Sequence, residues 1–274
     1  MVLSDRLFSQ FSDLVYRECG INLHDGKKSL LQARLNKRLR LTGFKSYESY
    51  FQYLTSGDSC DELVHFLDCV STNLTYFFRE PKHFEFLSQQ IPEMLTAKRK
   101  ERTQRIRAWS AGCSTGEEPY SLAMEVLQHI KETDHFDFKI LATDISTRAL
   151  DIAKAGIYTS EKVQRVHPEL RRRYFKRIAG TGPNTDSYEV VPLLKHVVRF
   201  ARLNLNETYP FKGPFDFIFC RNVMIYFDKK TQENLIHKMC HYLAPGGYLF
   251  VGHSESLMGL NHSMKYVRPA VYKK

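Results

Sequence analysis

The sequence of 274 residues has no long hydrophobic run. Even its most apolar segments, such as 215–220, are far shorter than the roughly 20 residues that cross a membrane, so we expect no direct membrane insertion. Residues 1–6 lack a basic segment followed by an apolar stretch, which predicts no secretory signal. The six cysteines never occur with C-x-x-C spacing. This argues against structural zinc and a disulfide framework, and it favours a reducing, cytoplasmic location.

Two common phosphate-binding fingerprints are also missing. No Gly-Lys-Ser/Thr follows Gly112, which excludes a Walker A loop, and the glycines at 112 and 116 do not match G-x-G-x-x-G. Residues 105–120 are nevertheless typical of a strand, a turn of small residues and a helix, and small residues let backbone N–H groups approach a ligand. Glu117 and Glu118 stand where a nucleotide loop usually carries a lysine. The turn therefore favours a cationic ligand over a phosphate.

Acidic residues are absent from one basic stretch. Residues 27–45 contain seven Lys or Arg and no Asp or Glu, and residues 98–107 contain six basic residues beside Glu101. The chain as a whole has a formal net charge of +10. Such a charge is compatible with nucleic acid, an anionic membrane surface or an acidic protein as the partner.

Periodicity divides the chain into two parts. Residues 1–70 repeat apolar side chains at intervals of three and four, which predicts a basic, all-helical N-terminal domain, and a linker follows at 71–81. From 82 to 274, strands alternate with helices, which indicates an α/β fold with a doubly wound, mostly parallel sheet. The strand candidates are 105–110, 138–143, 197–203, 215–220 and 247–252, and the helix candidates are 119–131, 146–155 and 229–243.

Residues 171–199 do not follow this alternation. A run of turn-forming residues at 180–186 separates two β-prone segments, which predicts a β-hairpin-like insertion with a loose turn. On the pattern alone, a docking element and a decorated loop are equally good interpretations.

Polar residues follow four of the predicted strands. They are the turn at 110–118, Asp144, the segment 204–206, and Arg221 with Asn222. Each of them singly is better explained as a cap or a turn residue. All four lie at equivalent positions, however, and ligands of open α/β sheets bind outside the carboxyl ends of the strands. S-adenosylmethionine suits this set: its ribose hydroxyls can donate to Asp144, its ammonium group suits a carboxylate such as Glu117, and it has no phosphate. Its sulfonium also favours aromatic or carbonyl neighbours.

Five segments carry a family resemblance. They are Asn-Leu-Thr-Tyr-Phe-Phe-Arg-Glu at 73–80, Ser-Ala-Gly-Cys-Ser-Thr-Gly-Glu-Glu-Pro-Tyr-Ser at 110–121, Ala-Thr-Asp-Ile at 142–145, Phe-Asp-Phe-Ile-Phe-Cys-Arg-Asn-Val-Met-Ile-Tyr-Phe at 215–227 and Gly-His-Ser-Glu-Ser at 252–256. In this order they closely resemble the CheR-type chemotaxis receptor methyltransferases, over nearly the whole chain.

The resemblance implies a Rossmann-like methyltransferase that moves a methyl group from S-adenosylmethionine to glutamate side chains of membrane chemoreceptors in chemotactic adaptation. The products are glutamate methyl esters and S-adenosylhomocysteine, and no metal is expected. The cofactor-binding residues carried over from the family motif are Asn73, Thr75, Arg79, Glu117, Asp144, Asn204, Leu205, Arg221 and Asn222. Arg79 and Tyr226 are expected to act in catalysis. Glu117 is preferred to Glu118 as the ammonium partner, although adjacent letters do not decide between them.

The basic stretch suggests how a receptor is held. On a helical projection Lys27, Arg34 and Arg38 lie beside a leucine stripe, and receptor methylation regions in this family are long glutamate-rich helices, so this ridge is predicted to bind the receptor. A solvated charged face is the alternative. We expect a monomer, and one that needs no C-terminal receptor tether, because the turn at 180–188 is longer than expected for tether-binding members.

Two other functions compete with this one. A nucleic-acid methyltransferase would explain the basic charge, but residues 222–226 read Asn-Val-Met-Ile-Tyr and lack the Pro-Pro-Tyr of DNA amino-methylating enzymes. A cofactor-binding sensor without turnover is the second alternative. The presence of Asn73, Arg79, Glu117, Asp144 and Tyr226 argues against the sensor.

Overall fold

The computed structural model describes residues 2–57, 59–101, 103–131, 135–178 and 186–274. Its first part is helical, with α1 at Asp5–Cys19, α2 at Lys28–Thr42, α3 at Tyr47–Thr55 and α4 at Cys60–Val70. The side chain of Ser4 accepts a hydrogen bond from the Leu7 N–H and begins α1. Gly43, at a φ of 81°, ends α2 in the left-handed conformation that glycine adopts without strain.

The apolar stripes of these four helices meet in one core. Phe11 of α1, Leu35 of α2, Tyr50 of α3 and Phe66 of α4 belong to the same cluster, and each is at most 1% exposed. The stripe of leucines on α2 is thus satisfied within the helical part, which leaves the opposite face of α2 in solvent.

The remaining chain contains ten strands and seven helices among the described residues. The strands are β1 Arg105–Ala111, β2 Asp137–Asp144, β3 Ile157–Thr159, β4 Phe175–Ile178, β5 Ser187–Val190, β6 Val198–Arg202, β7 Phe215–Cys220, β8 Leu243–Val251, β9 Lys265–Arg268 and β10 Val271–Lys273. The helices are α5 Pro81–Lys100, α6 Glu117–Leu127, α7 Thr147–Ala155, α8 Ser160–Val163, α9 Pro168–Tyr174, α10 Pro192–Val197 and α11 Lys229–Tyr242.

Seven of these strands form the main sheet, in the order β6-β2-β1-β7-β8-β10-β9. The first five are parallel, and β10 and β9 are antiparallel additions. The chain winds outward from β1 through β2 to β6 and then returns to β7 on the other side. Between β1 and β7 lies a topological switch point, where ligands bind in open sheets.

Both faces of the sheet are covered, as the doubly wound prediction requires. Along β7, Phe217 and Phe219 point into a cluster shared with α5 and α6, whereas Ile218 and Cys220 point into a second cluster shared with α11. All six residues of the strand are buried. Five of the six are apolar, as expected of a strand covered on both sides, and the sixth, Asp216, pairs with Lys98 Nζ at 2.6 Å. This confirms the predicted α/β architecture.

A second sheet differs in extent from the predicted insertion. It is antiparallel, in the order β3-β5-β4, and it begins at Ile157 rather than near residue 171, because the short strand β3 pairs with β5. Residues 179–185, which contain most of the predicted loose turn at 180–188, lie outside the described residues. No helix among the described residues is both long and apolar enough to cross a membrane.

Candidate active site at the carboxyl ends of the strands

A cavity of about 420 Å³ lies at the switch point, where the ends of β1, β2 and β7 meet the linker and the helical part. This volume falls within the range of about 300–1,000 Å³ that is usual for small-molecule sites. Eight of the nine predicted cofactor-binding residues line it: Asn73, Thr75, Arg79, Asp144, Asn204, Leu205, Arg221 and Asn222; Tyr226 lines it as well. A larger cavity of about 590 Å³ beside α1 contains none of them.

The turn after β1 is shaped by glycine. Gly112 has a φ of 79°, and a Cβ atom there would lie 2.4 Å from Val223 Cγ2, so only glycine fits. The N–H of Gly112 donates to the carbonyl of Thr143 at 2.8 Å, which fastens the turn to the end of β2. The cavity wall can therefore approach a ligand with backbone atoms alone.

Asp144 is held by backbone N–H groups. Its two carboxylate oxygens accept hydrogen bonds from the N–H of Ser114 at 2.8 Å and of Ser146 at 2.9 Å. Burial raises the pKa of the Asp144 carboxyl, and these two N–H donors oppose the rise. The side chain is thus fixed at the end of β2, and each oxygen keeps a lone pair for a ligand hydroxyl.

Glu117, the ninth predicted residue, does not line the cavity. It is fully buried, accepts a hydrogen bond from Thr115 Oγ1 at 2.6 Å and forms an ion pair with Lys162 Nζ at 2.5 Å. The neighbouring Glu118 lines the cavity instead. Its oxygens accept from Ser110 Oγ at 2.7 Å and from Arg221 Nε at 2.8 Å. The cavity is thus lined by Glu118 and not by Glu117, because successive helical residues project in directions about 100° apart. Which of the two receives the ammonium group stays a prediction.

Arg221 joins the strand end to the linker. Besides its ion pair with Glu118, its Nη1 donates to the carbonyl of Arg79 at 2.5 Å, and the guanidinium lies 5.5 Å from the ring centre of Phe84. The linker residue Arg79 donates in turn from Nη1 to the carbonyl of Leu74 at 2.9 Å. The linker is therefore folded against the cavity by two guanidinium groups.

The segment from Asn222 to Tyr226 is positioned by a carboxylate that sequence reasoning missed. Glu255 Oε2 accepts from the N–H of Asn222 at 2.8 Å, and Oε1 accepts from the N–H of Ile225 at 3.3 Å. The N–H of Gly252 also donates to Oε2. In the sequence, Glu255 is distinguished only by its place in the family segment 252–256, and that resemblance assigned no role to it.

The helical part completes the wall. Ile21, Leu23, Leu30, Val70 and Thr72 line the cavity without having been predicted to do so. The N–H of Asn22 donates to the carbonyl of Tyr226 at 2.8 Å, and Asn204 Nδ2 donates to the carbonyl of Glu18 at 2.6 Å. These contacts have no local sequence signal, because the partners are far apart along the chain.

Two family models match the two parts of the chain. The CheR methyltransferase all-alpha domain matches residues 6–71, and the CheR methyltransferase SAM binding domain matches residues 73–272. The chain belongs to the CheR methyltransferase family. A chemotaxis protein methyltransferase of Borreliella burgdorferi is 43% identical, with 97% of this chain and 93% of the relative covered. One from Escherichia coli is 40% identical, with 99% and 92% covered, and chemotaxis protein methyltransferase 2 of Pseudomonas aeruginosa is 40% identical, with 97% and 91% covered.

Membership of the CheR family confirms the resemblance inferred from the five segments. It also confirms that the protein is a methyltransferase with S-adenosylmethionine as its cofactor. The residues that line the cavity fit this cofactor, which carries positive charge and no phosphate. Two carboxylates, Asp144 and Glu118, line the cavity, and the turn at 110–118 contains no lysine that could bind a phosphate.

The three basic residues that were predicted to bind the receptor have different surroundings in this CheR family member, and their role in receptor binding stays a prediction. Arg38 pairs with Glu62 through two of its nitrogens, and Arg34 donates to the carbonyl of Val70 and to Thr72 Oγ1. Both therefore tie α2 to α4 and the linker. Lys27 lines the cavity and is exposed. The exposed basic residues on α2 itself are Lys37 and Arg40.

One group among the described residues has the composition of a metal site. Potential ligand atoms of Glu80, His83 and His253 lie within 4.8 Å of one another. Arg221 Nη1, however, lies 3.2 Å from His83 Nδ1 and 3.4 Å from Glu80 Oε2. A guanidinium cation already neutralises the carboxylate there and would repel a metal ion at the same point.

Proposed function

We propose that the protein transfers the methyl group of S-adenosylmethionine to glutamate side chains of bacterial chemoreceptors, which yields glutamate methyl esters and S-adenosylhomocysteine in chemotactic adaptation. The observation that supports this most directly is the single cavity shared by Asp144, Glu118, Arg79 and Tyr226. The relatives are named chemotaxis protein methyltransferases, which points to the same pathway.

For the cofactor, we propose that Asp144 accepts hydrogen bonds from the ribose hydroxyls and that Glu118 receives the ammonium group. Asn204 and Leu205 are proposed to flank the adenine. Arg79 has N–H groups left beyond the one that donates to Leu74, so it can bind a carboxylate of the cofactor or of the substrate. When bound, the cofactor supplies a methyl group activated by a positively charged sulfur.

The reaction does not require a side chain of the protein to act as a general base. A glutamate side chain is ionised at pH 7, with an ordinary pKa of about 4.3, so no general base is required. Direct displacement requires alignment of the carboxylate with the methyl group, and it is faster when the carboxylate has lost part of its water. Arg79 and Tyr226 are proposed to align the carboxylate, and neither acts as a proton acceptor.

The test is an assay with S-adenosylmethionine labelled in the methyl group and with cytoplasmic fragments of chemoreceptors. The expected result is label on the fragment that alkali releases as methanol, as it does from esters. Alkali-stable label, or transfer to RNA or DNA in place of the fragment, would overturn the proposal. A pH–rate profile without an optimum near neutrality is expected, because no group has to lose a proton there.

We further propose that the protein acts as a cytoplasmic monomer. The methylated region of its partner is the cytoplasmic helical part of the receptor, and the scattered cysteines suit a reducing compartment. Independence from a receptor tether stays a prediction, which methylation of fragments with and without the receptor C-terminus would test.

A further inference from the structure

Three exposed apolar side chains surround the opening of the cavity. Leu30, Leu74 and Ile225 are 39%, 76% and 48% exposed, and all three line the cavity. They come from α2, from the linker and from the turn after β7, so three separate parts of the chain place an aliphatic side chain at the same opening. We call these three residues the apolar collar.

The apolar collar does not contribute to the hydrophobic cores that stabilise the fold. None of its members belongs to the three hydrophobic clusters formed by the described residues. A single exposed leucine on a protein surface is ordinary. Several around the opening of a ligand cavity are different, because apolar surface concentrated at one place marks a site of interaction.

The charges around the apolar collar restrict its partner. Lys27 lies one helical turn before Leu30 and is exposed, and the exposed face of α2 continues with Lys37 and Arg40. The acidic residues that line the cavity, Glu118 and Asp144, are each 7% exposed and lie inside it. On the side of α2, the surface presented to a macromolecule is therefore apolar next to the cavity and cationic beyond it.

We propose that the apolar collar binds the glutamate-bearing helix of the receptor through apolar side chains on either side of the target glutamate. This inference rests on the proposed function. An amphipathic helix provides apolar residues three or four positions from a glutamate, so both can face the opening together. Packing against Leu30, Leu74 and Ile225 also displaces water from around the carboxylate, which speeds displacement at the methyl group.

The apolar collar would also impose specificity. A glutamate flanked by charged residues brings polar groups against three aliphatic side chains, and their loss of water would not be compensated. A glutamate flanked by alanine, valine or leucine at the neighbouring helical positions incurs no such cost. The apolar collar therefore selects among glutamates of the same helix without contacting their carboxylates.

The experiment compares Leu74→Ser with Ile225→Ser and with the double variant. Met258→Ser is the matched control, since Met258 is 89% exposed and does not line the cavity. The expected result for the double variant is a fall in kcat/KM for the receptor fragment of roughly tenfold or more, the effect of removing apolar contacts in a specificity site. The dissociation constant of S-adenosylhomocysteine, measured by calorimetry, changes less than about twofold for all variants, and Leu74→Met retains activity.

Two results would overturn the inference. One is a double variant as active as Met258→Ser. The other is an equal loss of S-adenosylhomocysteine binding, which would assign these side chains to the cofactor. Both are distinct from failure of the proposed function, in which the unaltered protein itself forms no alkali-labile ester on the receptor fragment.

Discussion

Glu117 and Glu118 occupy consecutive positions at the start of α6, yet they have different surroundings. Glu117 is enclosed with Lys162 of α8, whereas Glu118 faces the cavity and pairs with Arg221. Sequence alone could not choose between them, because the answer depends on which direction of α6 faces the strand ends.

Replacement of each glutamate by glutamine separates their roles. Glu118→Gln removes the negative charge that we assign to the cofactor ammonium and breaks the ion pair with Arg221 Nε, so S-adenosylhomocysteine is expected to bind about tenfold more weakly, or worse. Glu117→Gln is the matched control: cofactor affinity is expected to stay within about twofold, while the thermal midpoint falls as Lys162 loses its partner. Calorimetry and thermal unfolding measure both effects, and the reverse pattern would restore the original assignment of Glu117.

His83 makes the free energy of unfolding depend on pH in the acidic range. Burial, helped by the Arg221 guanidinium, lowers the pKa of His83 from 6.5 to about 3. Between about pH 6.5 and about pH 3, the His83 side chain is mostly protonated in the unfolded chain but mostly neutral in the folded protein. The free energy of unfolding therefore decreases as pH falls through this window, by at most about 1.4 kcal/mol per pH unit from this group.

Urea unfolding of the protein and of His83→Gln at several pH values between 7 and 5 tests this dependence. The variant is expected to lose less stability per pH unit, whatever its stability at pH 7. Asp144 and Glu255, whose pKa values are raised by burial, act with the opposite sign in both proteins and cancel from the comparison. Parallel pH dependences would show that His83 is not the group responsible.

At the scale of elements, the turn after β7 is held by the turn after β8. The carboxylate of Glu255 collects the N–H groups of Asn222, Ile225 and Gly252, and a Cβ atom on Gly252 would lie 2.8 Å from Glu255 Oε2. The two strand ends are therefore joined through one carboxylate. Tyr226, at the end of this turn, takes its position from Glu255 without touching it directly.

Glu255→Gln tests this coupling between elements. Its amide nitrogen cannot accept a hydrogen bond, so at least one of the three N–H groups loses its acceptor, and the cost reaches about 1–3 kcal/mol where that group is buried. We expect a lower thermal midpoint and a fall in kcat, and we expect Glu255→Asp to recover part of the loss. An unchanged kcat in a destabilised Glu255→Gln protein would limit Glu255 to stability.

Regular elements with strong periodicity could be predicted from the sequence, and weakly patterned ones could not. β7 was predicted at its observed bounds because both its faces are buried. The short strands β3, β9 and β10 were missed, since three or four residues carry too little alternation to detect. β8 begins at Leu243, four residues before the predicted start at 247, and it ends at Val251.

For the cavity, the sequence indicated the residues at strand ends but not those contributed by the helical part. Family motifs and the strand-end rule led to Asp144, Asn204 and Arg221, which do lie together. Leu30 and Ile21 could not be found in this way, because their place depends on how the helical part packs against the sheet.

At the scale of the molecule, the basic residues of α2 are of two kinds: some pair with other residues of the protein, and others are exposed on the surface. Arg38 is held by Glu62, which also accepts a hydrogen bond from Tyr50 at 2.6 Å, whereas Lys37 and Arg40 are exposed. A charge reversal at Arg34 and Arg38, the natural choice from sequence, would disturb α2 and the linker together with any receptor contact.

Charge reversal at the exposed positions is the cleaner experiment. Lys37→Glu with Arg40→Glu is expected to raise KM for receptor fragments several-fold at low salt, with thermal stability and cofactor affinity unchanged, and the effect is expected to shrink as ionic strength rises. Arg38→Glu, in comparison, is expected to lower the thermal midpoint, because Glu62 then faces a second carboxylate. If Lys37→Glu with Arg40→Glu methylates receptors normally at low salt, α2 does not steer the receptor.

The placement of carboxylates inside the cavity and cations outside it has a consequence for turnover. In the reaction we propose, the carboxylate loses its negative charge as it becomes an ester, and the sulfonium loses its positive charge as it becomes a thioether. The attraction between the carboxylate and the sulfonium therefore vanishes in this step, whereas the contacts that we assign to the ammonium group and the ribose are unchanged. The methylated helix is then attracted more weakly by the cations outside the cavity than the unmodified helix was, so the chemistry itself promotes its departure.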